Sequence, residues 1–269
     1  MPTYSYYPGC SLHGMAKDYD RSVRLIAPKL DVALREIPDW SCCGSTAAHS
    51  TDARLALALA ARNLELAAPA QLPVLAPCAM CYNRMKVTQH ELEDAGRRAA
   101  VAEILGQPVH APADQPEVVS VLEAFAGDEM APAIEAALVR PLKGLKVVAY
   151  YGCLLVRPAA ILQPDSVENP QAMDRLLRRL GAEVLDWPFK TECCGGSLAL
   201  ARLDIVLALG RKLLAMAKAV GADCVVTACP MCQSNLDARQ GQIKERYGDD
   251  FNLPVVYVTE LMGMAFGLS

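Results

Sequence analysis

The chain is predicted to be an α/β protein built from two tandem, internally repeated α/β domains. Each would hold a parallel sheet, with its cysteines at the carboxyl ends of the strands. Three observations predict this. A five-cysteine pattern is written twice: Cys10, Cys42, Cys43, Cys78 and Cys81, then Cys153, Cys193, Cys194, Cys229 and Cys232. The segments flanking these cysteines repeat with them. Within each copy, short apolar runs alternate with Ala- and Leu-rich runs, and strand–helix alternation is the mark of a parallel sheet.

The copies are in step. Cys153 follows Cys10 by 143 residues, whereas Cys193 follows Cys42, and Cys229 follows Cys78, by 151. The second copy therefore carries eight extra residues before its Cys-Cys-Gly and is then in register. The run from Thr3 to Cys10 matches that from Val147 to Cys153, each reading as a strand entering a Gly-Cys turn. Cys42-Cys43-Gly44 and Cys193-Cys194-Gly195 each open a small-residue turn. The Ala/Leu/Arg composition that follows predicts helices over 52–67 and 198–220. Apolar strands over 72–75 and 224–227 come next and empty into Cys78-Ala79-Met80-Cys81 and Cys229-Pro230-Met231-Cys232, each followed by a helix. Domains are expected at 1–110 and 146–269. The stretch 111–145, which lacks a counterpart in either copy, reads as a connecting helical segment, with its helix over 116–139. A last strand over 253–259 precedes a short apolar helix, expected as core or as a contact between subunits.

Ligands of such sheets collect beyond the carboxyl ends of the strands. Thiolates spread over about 70 residues of chain thereby converge on one edge, where helix N-termini favour negative charge.

Composition narrows the function classes. With 269 residues and 53% hydrophobic content, a substantial core is available, and the mean hydropathy is +0.18. A net charge of −4 with dispersed Lys and Arg gives no nucleic-acid footprint. No long uncharged apolar run predicts a membrane span, and the N-terminus has no signal-peptide character, so a cytoplasmic location is expected. Thiols stay reduced there, which favours metal binding or catalysis over disulfides. A tetrahedral zinc takes four ligands and a cubane cluster normally four. Five thiols per copy fit neither well, and a lone redox CxxC would not need the other three. Adjacent Cα atoms, about 3.8 Å apart, can hand two thiolates to different metals of one cluster. Iron–sulfur ligation by five cysteines is the better reading, with zinc as the alternative.

The pattern Cys-x(31–39)-Cys-Cys-Gly, with a CxxC about 34 residues on, resembles the cysteine-rich CCG domain. Two copies in one chain resemble the B subunit of heterodisulfide reductase. The resemblance covers essentially the whole chain. It includes Tyr7-Pro8-Gly9-Cys10, the Pro-Leu-Lys-Gly-Leu-Lys run over 141–146, and the Leu-Pro-Val-Val-Tyr run over 253–257. It implies two non-cubane [4Fe-4S] clusters, one held by Cys10, Cys42, Cys43, Cys78 and Cys81, the other by Cys153, Cys193, Cys194, Cys229 and Cys232. It also implies two-electron cleavage of a disulfide between them, with Cys43 and Cys194 at the reacting centres. No ferredoxin run, dinucleotide fingerprint or P-loop is present, so electrons must come through partners. The resemblance implies two of them, a flavin-containing A subunit and a ferredoxin-like C subunit.

Within that family, some complexes reduce the coenzyme M–coenzyme B heterodisulfide of methanogens. Others run oxidatively on sulfur bound to a lipoate-carrying protein. Abundant Ala, Leu and Arg with little Ile points to a GC-rich bacterial genome and to the oxidative reading. A non-catalytic electron-transfer module is the third reading.

Outside the motifs, His13 and His49 each follow a motif cysteine and are the candidate proton donors, with capping or packing as the ordinary alternative. His90 and His110 have no motif context. Cys224 reads as a buried small hydrophobe. Tyr7, Tyr150 and Tyr151 read as core aromatics, Asn83 and Asn235 as turn caps, and Arg157 and Lys190 as solvated surface charges.

Overall fold

The computed structural model of the chain describes residues 1–45 and 47–268. Two four-stranded sheets organise it. The first contains β1 (Thr3–Tyr6), β2 (Ala33–Glu36), β3 (Val74–Leu75) and β4 (Val118–Val119), in the order β2-β1-β3-β4. The second contains β5 (Lys146–Tyr150), β6 (Glu183–Val184), β7 (Cys224–Thr227) and β8 (Val255–Tyr257), in the order β6-β5-β7-β8. Every pairing is parallel. Parallel strands covered on both faces read as apolar runs, and β5 and β7 obey this: Val147, Val148, Ala149, Tyr150, Val225 and Val226 are all buried.

The registers make the repeat explicit. Ser5 faces Val74 and Val74 faces Val118; Val148 faces Val225 and Val225 faces Val255. Ser5 is thus equivalent to Val148, Val74 to Val225, and Val118 to Val255.

The last equivalence corrects the expected helical connector over 111–145. Val118–Val119 is the fourth strand of the first sheet, followed by the helix Val121–Phe125. Its counterpart is β8 with the helix Val258–Ala265, and in both helices a glutamate in the first turn accepts the N-cap backbone N–H, Glu123 that of Ser120 and Glu260 that of Tyr257. The remainder is broken into a 3₁₀ turn, Asp128–Met130, and the helix Ala131–Ala137. A two-residue strand is too short to show any periodicity in sequence, which is why the surrounding helical composition dominated.

The helix expected over 52–67 runs Ala53–Ala67, with Asp52 accepting the backbone N–H groups of Arg54 and Leu55. The one expected over 198–220 starts later, as Leu203–Ala219, because the chain first makes the 3₁₀ turn Gly196–Leu198. Gly195 and Gly196 are poor helix formers. The C-terminal helix Val258–Ala265 packs against Lys17–Ile26 of the first half, with Ser22 Oγ and Thr259 Oγ1 2.6 Å apart. The apolar C-terminus is therefore core between the halves.

Candidate functional site

Each half assembles its cysteines from three strand ends. Beyond β1 the chain turns at Gly9 into the short helix Gly9–His13, which carries Cys10. Beyond β2 it reaches Cys42 and Cys43, and beyond β3 the helix Ala79–Glu91 starts with Cys78 as its N-cap and holds Cys81 in its first turn. The second half repeats this: Cys153 follows β5, Cys193 and Cys194 follow β6, and Cys229 is the N-cap of the helix Pro230–Leu236, which contains Cys232.

Two glycines per half make the convergence possible. Gly9 and Gly152 have φ of +68° and +66°. A Cβ on either would lie 3.2 Å from Cys81 Sγ or 3.1 Å from Cys232 Sγ. The last cysteine of each CxxC thus reaches its set only past a residue without a side chain. Gly44 and Gly195, at +74° and +79°, bend the chain after each cysteine pair. Each also aims its N–H at the first sulfur of the pair, Gly44 N to Cys42 Sγ at 3.5 Å and Gly195 N to Cys193 Sγ at 3.2 Å.

The sulfurs then pair in the same way in both halves. Cys43 and Cys81 are 3.3 Å apart, and Cys194 and Cys232 are 3.5 Å apart. Cys10 and Cys42 are 3.7 Å apart, and Cys153 stands close enough to Cys193 that each shifts the other's acidity. The Cys43, Cys78, Cys81, Cys194, Cys229 and Cys232 thiols are buried, whereas Cys10, Cys42 and Cys193 are exposed. Cys78 and Cys229 stand close enough across the junction of the halves to shift each other's acidity, Cys78 up and Cys229 down. The two sets are therefore contiguous. Ala79 and Met80 of the first half join Cys153, Cys193, Cys194 and Cys232 of the second around a cavity of about 60 Å³.

Crowding splits the thiol acidities within each set. The Cys42 thiol is drawn down to about 2, first by the Cys10 thiol and then by Cys43 and the Gly44 N–H. Cys193 is drawn down to about 6, first by Cys153 and then by the Gly195 and Gly196 N–H groups. Their partners move the other way: Cys10 and Cys153 are pushed up by donating hydrogen bonds to these thiolates, then by burial. Cys43 is pushed up to about 11, chiefly by its hydrogen bond with Cys42. Thiols this close titrate as pairs.

Among the described residues, no three His, Cys, Asp or Glu side chains close on one ion position. Five soft sulfur donors per set, with backbone N–H groups aimed at the first of each pair, instead suit a polynuclear iron–sulfur group.

Tyrosines brace both sets. Tyr7 Oη donates to the Ser41 carbonyl and Tyr150 Oη to that of Glu192, each 2.7 Å, holding the loop just before each Cys-Cys pair. Tyr7, Tyr150 and Tyr151 are buried, as expected of core aromatics. Cys224 is buried in β7. His13 is exposed beside Glu36, Nε2 to Oε1 3.6 Å, with its ring edge-on to Trp40. His49 is exposed in the helix Ala47–Thr51, its N–H donating to the Gly44 carbonyl.

Three polar residues do more than their sequence context conveyed. Lys190 is not a solvated charge: it is buried, with Nζ 2.7 Å from Asp174 Oδ1, and Asp174 Oδ2 accepts the Tyr151 hydroxyl at 2.7 Å. Asn83 does not cap a turn. Its amide donates to the Leu154 and Arg157 carbonyls at 3.0 and 2.7 Å, tying the first half to the second. Asn235 donates to the Cys194 carbonyl at 3.2 Å. Arg157 spans Thr191 O and Glu168.

A family model described as a cysteine-rich domain matches residues 4–86 and 147–237. The chain is 32% identical over 265 residues to the 8-methylmenaquinol:fumarate reductase membrane anchor subunit of Wolinella succinogenes, covering 98% of this chain and 92% of that one. It is 30% identical over 277 residues to the B subunit of the ferredoxin:CoB-CoM heterodisulfide reductase of Methanosarcina mazei, covering 100% and 91%. A solved structure of a hypothetical protein from Helicobacter pylori aligns with a TM-score of 0.74 at 13% identity. It covers 99% of this chain, which spans about half (49%) of that protein, and the likeness speaks for the fold alone. No helix among the described residues is long and apolar enough to cross a membrane. Two matched domains, each with a complete cysteine set, and full-length relatives at this identity place the chain in the tandem cysteine-rich CCG-domain family, to which the heterodisulfide reductase B subunits belong.

Proposed function

We propose that this chain is the iron–sulfur B subunit of a heterodisulfide-reductase-like complex, and that it performs two-electron chemistry on a sulfur–sulfur bond. The observation that carries the reading is the meeting of two complete, repeat-related cysteine sets at Cys78 and Cys229. A disulfide has two ends, takes two electrons and two protons, and yields two thiols. Two equivalent centres side by side match that stoichiometry. Cys10, Cys42, Cys43, Cys78 and Cys81 would hold one non-cubane [4Fe-4S] cluster, and Cys153, Cys193, Cys194, Cys229 and Cys232 the other. When bound, each cluster supplies or takes one electron. The protein holds the sulfur donors in place, buries most of them and turns backbone N–H groups toward them. A flavin-containing A subunit and a ferredoxin-like C subunit carry the electrons. The substrate we favour is sulfur on a lipoate-carrying protein, oxidised in the cytoplasm.

The 32% identical Wolinella relative supports a second reading, an electron-transfer subunit of a quinol:fumarate reductase. One experiment separates the readings. The purified complex is offered a heterodisulfide, a sulfur-loaded lipoyl protein, and fumarate, and cluster oxidation state is followed by EPR. Response to the lipoyl protein supports the first proposal. Response to fumarate alone overturns it.

A further inference from the structure

The second half holds a buried polar network beside its cysteines, without a counterpart among the described residues of the first half. Lys190 and Asp174 form an ion pair at 2.7 Å, with side-chain exposures of 3% and 1%. Lys190 Nζ also donates to the Pro170 carbonyl at 3.3 Å. The second Asp174 oxygen accepts the Tyr151 hydroxyl at 2.7 Å. That hydroxyl in turn accepts the N–H groups of Met173 and Asp174, at 2.8 and 3.2 Å. The backbone closes the network: the Lys190 carbonyl accepts the N–H groups of Tyr151 and Gly152 at 2.9 and 3.0 Å.

Gly152 is followed directly by Cys153, and Cys193 lies three residues beyond Lys190. Tyr151 also stands in the wall of the cavity lined by Cys153, Cys193, Cys194 and Cys232. One buried pair thus fastens together the turn that carries Cys153, the loop that leads to Cys193 and the start of the helix Ala172–Arg179. The first half is built otherwise. In its matching Gly-Cys turn Pro8 stands in the place of Tyr151 and brings no hydroxyl. Ala33 and Glu183 occupy equivalent strand positions, and nine residues before them stand Arg24 and Asp174. Arg24 is 38% exposed and pairs with Asp20 and Glu36. A buried ion pair is seldom worth more stability than apolar side chains of the same volume, so stability alone does not account for this one. Groups that hydrogen-bond around a metal's ligands do fix the ligands' orientation.

We propose that Tyr151, Asp174 and Lys190 are positioning residues for the second cysteine set alone, holding Cys153 and Cys193 in the geometry of their metal group, a role that rests on the reading of these cysteines as iron–sulfur ligands. Two centres that repeat in sequence are thereby unequal. The second is held by a buried scaffold, and the first is not.

The test is anaerobic iron release to bathophenanthroline, with EPR, on full chains that keep one set each: Cys10→Ala keeps the second and Cys153→Ala the first. In the Cys10→Ala chain, Tyr151→Phe, which removes only the hydroxyl, should speed release by about tenfold and shift the EPR spectrum. In the Cys153→Ala chain it should change neither. Lys190→Met combined with Asp174→Leu should act as Tyr151→Phe does even where it recovers stability, which a merely structural role would not produce. Unchanged release and spectrum in the Cys10→Ala chain, or equal effects on both sets, overturns the proposal. A parent chain without iron would fail the iron–sulfur reading instead, and alkylation of the metal-free thiols by iodoacetamide then decides. Tyr151→Phe should change the rates at Cys153 and Cys193 relative to those at Cys10 and Cys42, and unchanged ratios overturn the proposal. Should Tyr151→Phe fail to fold, the double variant is read in its place.

Discussion

Cys78 and Cys229, the leading cysteines of the two CxxC motifs, stand close enough across the junction of the halves that each shifts the other's acidity, Cys78 up and Cys229 down. Each is also the N-cap of a helix that enters its own set. The two sets share a boundary made of sulfur, and a change at that boundary is felt on both sides.

Cluster loading follows from this. With two four-iron groups, the purified chain should carry about eight irons. Cys10→Ala should remove about half the iron and acid-labile sulfide and leave the EPR spectrum of the remaining centre unchanged. Cys78→Ala should remove the same share and also shift the spectrum of the second centre. Identical spectra of the surviving centre in the two variants would mean that the Cys78–Cys229 contact transmits nothing.

The glycine of each Cys-Cys-Gly motif is required twice over. An alanine at Gly44 would hold φ near +74° and place its Cβ 3.0 Å from Leu59 Cδ1; at Gly195 it would meet Val206 Cγ2 at 3.1 Å. Backbone strain and overpacking together predict a loss of about 2–4 kcal/mol for either substitution. Gly106 has a similar φ of +66° with nothing near its Cβ position, so Gly106→Ala should cost only about 1–2 kcal/mol. Urea unfolding of the three variants checks the order.

The Lys190–Asp174 pair is buried, with side-chain exposures of 3% and 1%. Removing one partner strands a charge away from water. Lys190→Met should destabilise by about 3–5 kcal/mol, and the double variant with Asp174→Leu should recover part of that loss. Equal stability of Lys190→Met and the parent in urea would contradict a charged pair at this position.

Stability should carry a modest pH dependence from His110. Its imidazole hydrogen-bonds the Glu65 carboxylate, which raises its pKa. A raised histidine pKa contributes stability that is fully present below the unfolded value of about 6.5 and is lost as pH rises through the folded value. The ring is largely exposed, so the effect is small. Melting temperatures across that range should fall more steeply with rising pH in the parent than in His110→Ala.

Local spacing carried most of the architecture. Cys42, Cys193 and their partners could be grouped because identical intervals recur, and the apolar run of β7 and the Ala/Leu-rich helix Ala53–Ala67 lie within a residue or so of where composition places them. The short strand β4 was not legible, because Val118 and Val119 become a strand only by pairing with Val74 and Leu75. The same holds for Lys190, whose burial depends on Asp174, 16 residues earlier in the chain.

Sequence alone established two repeated α/β units, ten cysteines in two sets and their family, because these depend on residue type and interval. The closeness of Cys78 to Cys229 and the tie from Asn83 to Leu154 and Arg157 were decided only in three dimensions. Each joins residues far apart in the chain, and no local preference of either partner encodes the meeting.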